Sequence, residues 1–353
     1  MMKLNKSVFS KTLLHKILKP FYLLSAVILL CSHDLYIKMD SYFLKPHQEA
    51  IFSLYNGTFE ESENTIARHR MEDASVVAHG NRTAINEGQW KDQDSTITQL
   101  PFKAGEAGTY VIGISTKVNS LKQTAEDFNG YLKHDGVLDM LKERTETNTL
   151  NEDVNESYEK HVKAIYQVGD KKTEDWKTVL GYPIEFVPVS NPYEKYSGQT
   201  LDVKLLLEGQ PLANQLVYAD FVKSAHGHSH NDHGHHHDHH GNHSHDHEHG
   251  TDHTHTNGEQ LRTNAEGIVT VKLPEDGIYY LRTIHMAKVD KGDITHESKW
   301  STLTFEVTHQ HGSHTHTHDD HEHHHDDELP TWVFILGSIA IIGVLFMVFR
   351  TKE

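Results

Sequence analysis

A single cysteine, Cys31, is the whole thiol inventory of the 353 residues. It stands in an N-terminal apolar stretch, so neither an intrachain disulfide nor a thiolate metal site is available. The body must be held by its core alone. Cations are scarce too: 33 Lys and Arg face 50 Asp and Glu, a net charge of −17. That balance disfavours nucleic acid and anionic lipid surfaces and favours cations as ligands. No Lys or Arg occurs between Lys223 and Arg262. No Ser/His/Asp or Cys motif for nucleophilic catalysis is apparent in the chain.

Histidine fills the cation-free stretch. Residues 226–255 carry fifteen: His226, His228, His230, His233, His235, His236, His237, His239, His240, His243, His245, His247, His249, His253 and His255. Residues 309–328 add nine more: His309, His311, His314, His316, His318, His321, His323, His324 and His325. Together the tracts hold 24 of the chain's 33 histidines, interleaved with carboxylates such as Asp232, Asp238 and Asp320. Neutral imidazole offers a lone pair to borderline transition metals without needing a buried site, and the carboxylates balance the charge. The tracts are read as metal-collecting arms for Ni²⁺ or Co²⁺, with Zn²⁺ and Cu²⁺ as alternatives. At ~4 ligands per ion, each has capacity for roughly two to four ions. Too few apolar residues are present to offset the entropy of ordering, so disorder without metal is predicted. The plainer alternatives are a low-complexity linker, or a pH sensor whose many groups titrate near ~6.5.

The two ends predict location. Five lysines up to Lys19 precede an apolar run over 21–31, a pattern of a secretory signal covering 1–32. Cleavage after Ser32 makes His33 the first mature residue; cutting before Cys31 is the other option. Residues 331–349 carry no charge and are followed by Arg350, Thr351, Lys352 and Glu353. Nineteen such residues approach the ~20 that cross a bilayer, and a basic tail fits the positive-inside rule. A single-pass anchor over 331–349, a cytoplasmic tail over 350–353 and a body outside the cytoplasm are expected.

Between the ends the pattern is mainly β. Leu35, Ile37 and Met39 alternate with polar partners, and Ile51, Ser53 and Tyr55 mark a strand ended by Asn56-Gly57. Further strands are expected over 75–79, 95–102 and 109–115. Residues 122–168 form a helical insertion: Ala125, Phe128 and Leu132, then Val137, Leu138, Met140 and Leu141, have helical spacing broken at Asp135-Gly136. A polar loop is expected over 143–155, and Tyr158, Val162 and Ile165 suggest a helical turn that becomes strand near Tyr166. A second β unit follows, with strands over 184–189, 201–207, 214–222, 268–273, 278–287 and 303–307. Turns fall at Gly209-Gln210-Pro211, 264–267 and Asp276-Gly277. The fold class expected is therefore two β-sandwich-like domains, 33–175 and 176–308, the second immunoglobulin/transthyretin-like. The tract at 226–255 occupies a hairpin loop of the second, and 309–329 is a linker to the anchor. Such an insertion is tolerable because closure entropy grows only as (3/2)RT ln n.

Several short stretches carry a family resemblance: His33-Asp34-Leu35-Tyr36, Asp40-Ser41-Tyr42-Phe43-Leu44, Leu180-Gly181-Tyr182-Pro183-Ile184-Glu185-Phe186-Val187-Pro188, Asn191-Pro192-Tyr193 and Gly209-Gln210-Pro211-Leu212-Ala213. Over about 33–308 the chain resembles a bacterial envelope domain-of-unknown-function family often labelled a nickel-uptake substrate-specific region. The resemblance implies two β-rich domains, a mature chain beginning His-Asp, a periplasmic setting, and association with a metal permease or TonB-type uptake system. The long tracts and the C-terminal anchor depart from that family's pattern.

If His33 is the new N-terminus, its α-amine and ring can chelate one metal together. Asp34, His285 or His296 could complete that site, while His69, His79, His134 and His161 are given no role. The function expected is a non-enzymatic envelope protein that captures a transition metal and hands it on. Its rivals are a copper-dependent enzyme using the His33 chelate and a structural or adhesion β-sandwich protein.

Overall fold

The computed structural model describes residues 34–223 and 258–309. In chain order its strands and helices begin with Asp34–Lys38 (β1), Phe43–Leu44 (β2), Glu49–Gly57 (β3), Met71–Ala78 (β4) and Asn81–Ala84 (β5). Lys91–Gln93 (β6), Ile97–Lys103 (β7), Gly108–Thr116 (β8) and Asn119–Gln123 (β9) lead to helices Ala125–His134 (α1) and Leu138–Glu146 (α2). Then come Val154–Val168 (β10), Ile184–Pro188 (β11), Gln199–Leu207 (β12), Gln210–Pro211 (β13) and Leu216–Val222 (β14). Glu259–Arg262 (β15), Ile268–Leu273 (β16), Gly277–Lys291 (β17) and Ile294–Val307 (β18) complete the set. The architecture is mainly β, as the alternating patterns predict.

One ten-stranded sheet forms the middle of a three-layer stack, in the order β15-β14-β17-β18-β10-β8-β4-β5, with β2 and β9 also on β10. On one face lies the sheet β1-β3-β7-β6; on the other, β11-β12-β13 with β16 on β12. Side-chain parity fixes the two faces. Tyr166 of β10 packs against Phe52 and Phe102 of the first outer layer, whereas Lys163, on the opposite face of β10, reaches Glu185 in β11. Likewise the Thr302 and Thr304 hydroxyls of β18 donate to the Leu35 and Ile37 carbonyls of β1. Because both faces are covered, β10 is buried without a break from Lys160 to Val168. β10 and β18 pair in parallel, Glu156 opposite His296 through Ala164 opposite Thr304. The sheet therefore takes strands from both sides of the 175/176 boundary.

α1 and α2 close one end over a second apolar cluster of Phe128, Leu132, Val137, Met140, Ile284 and Trp300. Thr124 caps α1 by accepting from the Asp127 amide. The chain breaks between the helices at Gly136, whose φ of +69° suits glycine. Two expectations are corrected here. Residues Tyr158, Val162 and Ile165 lie in strand, not in a helical turn: their spacing coincides with a helix because Lys160, His161 and Lys163, buried between layers, break the apolar alternation. The stretch expected as a polar loop contributes Glu143–Glu146 to α2 and begins β10 at Val154. No helix among the described residues is long and apolar enough to cross a membrane; the expected signal (1–32) and anchor (331–349) lie outside them.

Candidate functional site

His33, residues 226–255 and all of the 309–328 tract except His309 lie outside the described residues. The points from which the tracts leave the fold are described. β14 and β15 pair antiparallel, with Ala219 opposite Glu259, so the first tract is the connection of a hairpin at the sheet edge. At the same end, Val222 of β14 lies opposite Ile278, and Gly277 lies opposite Val307 of β18. The first residues of β17 are thus flanked on one side by the root of the first tract and on the other by the root of the second. At two strand spacings the roots stand roughly 10 Å apart. One turn holds both: the Lys223 Nζ lies 2.6 Å from Glu275 Oε2, and His309 Nδ1 bonds Asp276 Oδ2. Burial acts to raise the Asp276 carboxyl, but hydrogen bonds from His309 and Ser197 prevail and hold it low.

Asp34, proposed as a ligand beside His33, opens β1 and is buried. Its Oδ2 lies 3.3 Å from Arg282 Nη1 and accepts from Tyr36 Oη at 3.1 Å. Arg282 also donates to the Asp135 carbonyl and lies over the Tyr218 ring at 4.5 Å. Lys160 sits over Trp300, 4.9 Å from the ring centre; burial lowers its amine to about 8 against the pull of Asp34 and Asp135. Glu156 accepts from Ser298 Oγ and Gln123 Nε2, and burial raises its carboxyl to about 7. A cavity of about 40 Å³ touches this network at Asp135, Tyr218 and Arg282.

His285 is not brought to Asp34. Three residues along β17 from Arg282, it projects from the opposite face, and its Nδ1 lies 2.9 Å from Gln215 Oε1. Burial, then the Lys299 cation, lowers its pKa. His296 is buried beside Phe128, with Nδ1 2.9 Å from Thr295 Oγ1; burial, then Arg144 and Lys288, brings it to about 4. Among the described residues no three or more His, Cys, Asp or Glu side chains are grouped as a metal site.

The family-like stretch 180–188 builds something the sequence reading passed over. Glu185 folds back so that its carboxylate accepts the Leu180 and Gly181 amides at 3.0 and 2.9 Å, while Lys163 Nζ donates to it at 2.9 Å. The turn so fixed sends Tyr182 Oη to Asp73 Oδ2 at 2.5 Å, an oxygen that Arg82 and Ser75 also donate to. Asp73, Arg82, Leu180, Gly181 and Tyr182 wall a groove of about 470 Å³ that also includes Ser115, Lys117 and Glu159. Beneath it lies His161, 1% exposed. Its Nδ1 is 2.9 Å from Ser115 Oγ, and its Nε2 is 3.5 Å from Glu159 Oε2 with no hydrogen bond. The residue carries no motif of its own; only the pairing of β10 with its neighbours makes it legible.

Comparisons give the following likenesses. A family described as a domain of unknown function (DUF4198) matches residues 30–287. Comparison with curated proteins gives no match. Among solved structures, the D0-D1 domain of intimin is 10% identical, covering 78% of this chain and 97% of its own, with a TM-score of 0.17. A DUF4785-family protein of Legionella pneumophila is 8% identical, covering 52% and 37%, with a TM-score of 0.18.

Proposed function

For a chain that belongs to the domain-of-unknown-function family DUF4198, we propose a non-enzymatic role in the bacterial envelope: capture of Ni²⁺ or Co²⁺, with Zn²⁺ next, and delivery to an uptake system. The observation that carries this reading is the rooting of two imidazole-rich tracts on either side of one turn, Lys223 on Glu275 and His309 on Asp276. Two clusters of weak ligands starting roughly 10 Å apart raise each other's effective concentration. Many interchangeable imidazoles exchange ions quickly, which suits delivery better than storage. The proposal includes the secretory signal, the anchor over 331–349 and a body on the periplasmic side, where a metal permease or TonB-type system is the recipient. It also includes an immunoglobulin/transthyretin-like character for the β11–β18 half.

The test is calorimetric titration of the purified full chain with Ni²⁺, Co²⁺ and Zn²⁺, beside a variant lacking 226–255 and 311–325. Loss of several bound ions per chain in the variant is expected. Unchanged stoichiometry would remove the tracts from the function.

A further inference from the structure

We propose that the Lys160 amine and the Asn56 carboxamide condense into an isopeptide bond, a covalent cross-link between the middle sheet and the outer sheet that holds β3. The inference stands apart from the metal reading and needs none of it. Placement is the first argument. Lys160 shares a face of β10 with Tyr166, whose ring packs against Phe52 of β3. Asn56, four residues along β3 from Phe52, meets Lys160 across that interface, Nζ to Oδ1 at 3.5 Å. As a hydrogen bond this contact lies at the outer limit. As the approach of a nucleophile it is close, because Oδ1 is one bond from the carbon to be attacked.

The setting of the amine is the second argument. It lies over the Trp300 ring on a residue 8% exposed. Burial lowers it to about 8 against the pull of Asp34 and Asp135, so roughly a tenth is uncharged and nucleophilic at pH 7. Of the surrounding charges Asp34 acts on it most strongly, and Asp34 stands opposite Gly57, the residue after Asn56. That carboxylate is placed to relay the proton. Nζ bonds to Asn56 Cγ, the Cγ–Nδ2 bond breaks, and the amine proton leaves with Nδ2 as ammonia; nothing is oxidised or reduced. Lys163 and Glu185, also buried, do not compete. A carboxylate anion resists attack by an amine, and Glu185 is committed to the Leu180 and Gly181 amides. A bond between residues 104 apart constrains the unfolded chain as a disulfide does, in a chain whose one cysteine allows no internal disulfide.

The experiment is tryptic digestion of the purified, denatured full chain, read by tandem mass spectrometry. A branched peptide is expected that joins the segment holding Asn56 to the one holding Lys160. It should be lighter than their sum by one ammonia and uncut after Lys160, and Lys160→Arg and Asn56→Ala should each abolish it. Unbranched peptides only, with trypsin cutting after Lys160, overturn the inference. So does ammonia lost from the Asn56 segment alone, which marks a succinimide at Asn56-Gly57, or a branch from Lys160 to any other residue. The unsubstituted chain decides the question even if neither variant folds.

Discussion

Lys163 of β10 and Glu185 of β11 meet between two layers of the fold, Nζ to Oε2 at 2.9 Å, both side chains 1% exposed. Burial lowers the lysine's pKa while Glu185 works to raise it. Removing one member leaves a buried charge, so Lys163→Met should cost about 3–5 kcal/mol. Replacing both with methionine should cost less than the sum of the single changes. Full stability should not return, because the Leu180 and Gly181 amides lose their acceptor at about 1–3 kcal/mol each. A double-mutant cycle by urea denaturation measures this.

Glu156 makes stability depend on pH. Its folded carboxyl, raised by burial to about 7, binds a proton more tightly than in the unfolded chain, whose carboxyls titrate near ~4.3. Its contribution is therefore most favourable below the unfolded value and is lost as pH rises toward 7, by roughly 3 kcal/mol in all. Glu156→Gln should remove that slope. Comparing denaturation midpoints of the two proteins at pH 5 and pH 8 should show the variant gaining on the wild type at the higher pH.

Gly136 tests the junction of the two helices. Its φ is +69°, and a Cβ there would lie 2.2 Å from Tyr218 Oη and 2.6 Å from Cζ. Gly136→Ala should cost about 2–3 kcal/mol, combining positive-φ strain with the clash. In a Tyr218→Ala background the same change should cost only about 1 kcal/mol, the conformational part. Thermal melts of the four proteins give the difference.

The rooting of the tracts can be measured directly. Spin labels at residues 223 and 308 should show dipolar broadening, since their strands flank β17 at roughly 10 Å. An unbroadened spectrum would contradict the shared end. Glu275→Gln with Asp276→Asn should leave global stability within about 1 kcal/mol, because the Lys223–Glu275 and His309–Asp276 pairs are largely exposed.

Local features were the legible part of the sequence. Leu201, Val203 and Leu205 alternate and are buried as expected, and Asp135-Gly136 does divide two helices. The stretch over 158–165 hides its strand because a strand covered on both faces buries charge where partners such as Glu185 are supplied from elsewhere along the chain. The parallel pairing of β10 with β18 and the contact of Asp34 with Arg282 join residues more than a hundred positions apart. No local period encodes such pairs. The same reasoning separates Asp34 from His285: alternation on β17 is readable, but which face meets β1 is not.

β15, four residues long, is the outermost strand of the middle sheet, and everything between Lys223 and Gly258 hangs from its hairpin. Doubling that insert would add only about 0.6 kcal/mol of closure entropy, since the core on the far side of β14 does not feel its length. The length of the insert and the integrity of the fold are thereby uncoupled. Relatives are free to lengthen, trim or recompose the fringe over generations while the three-layer body stays as it is.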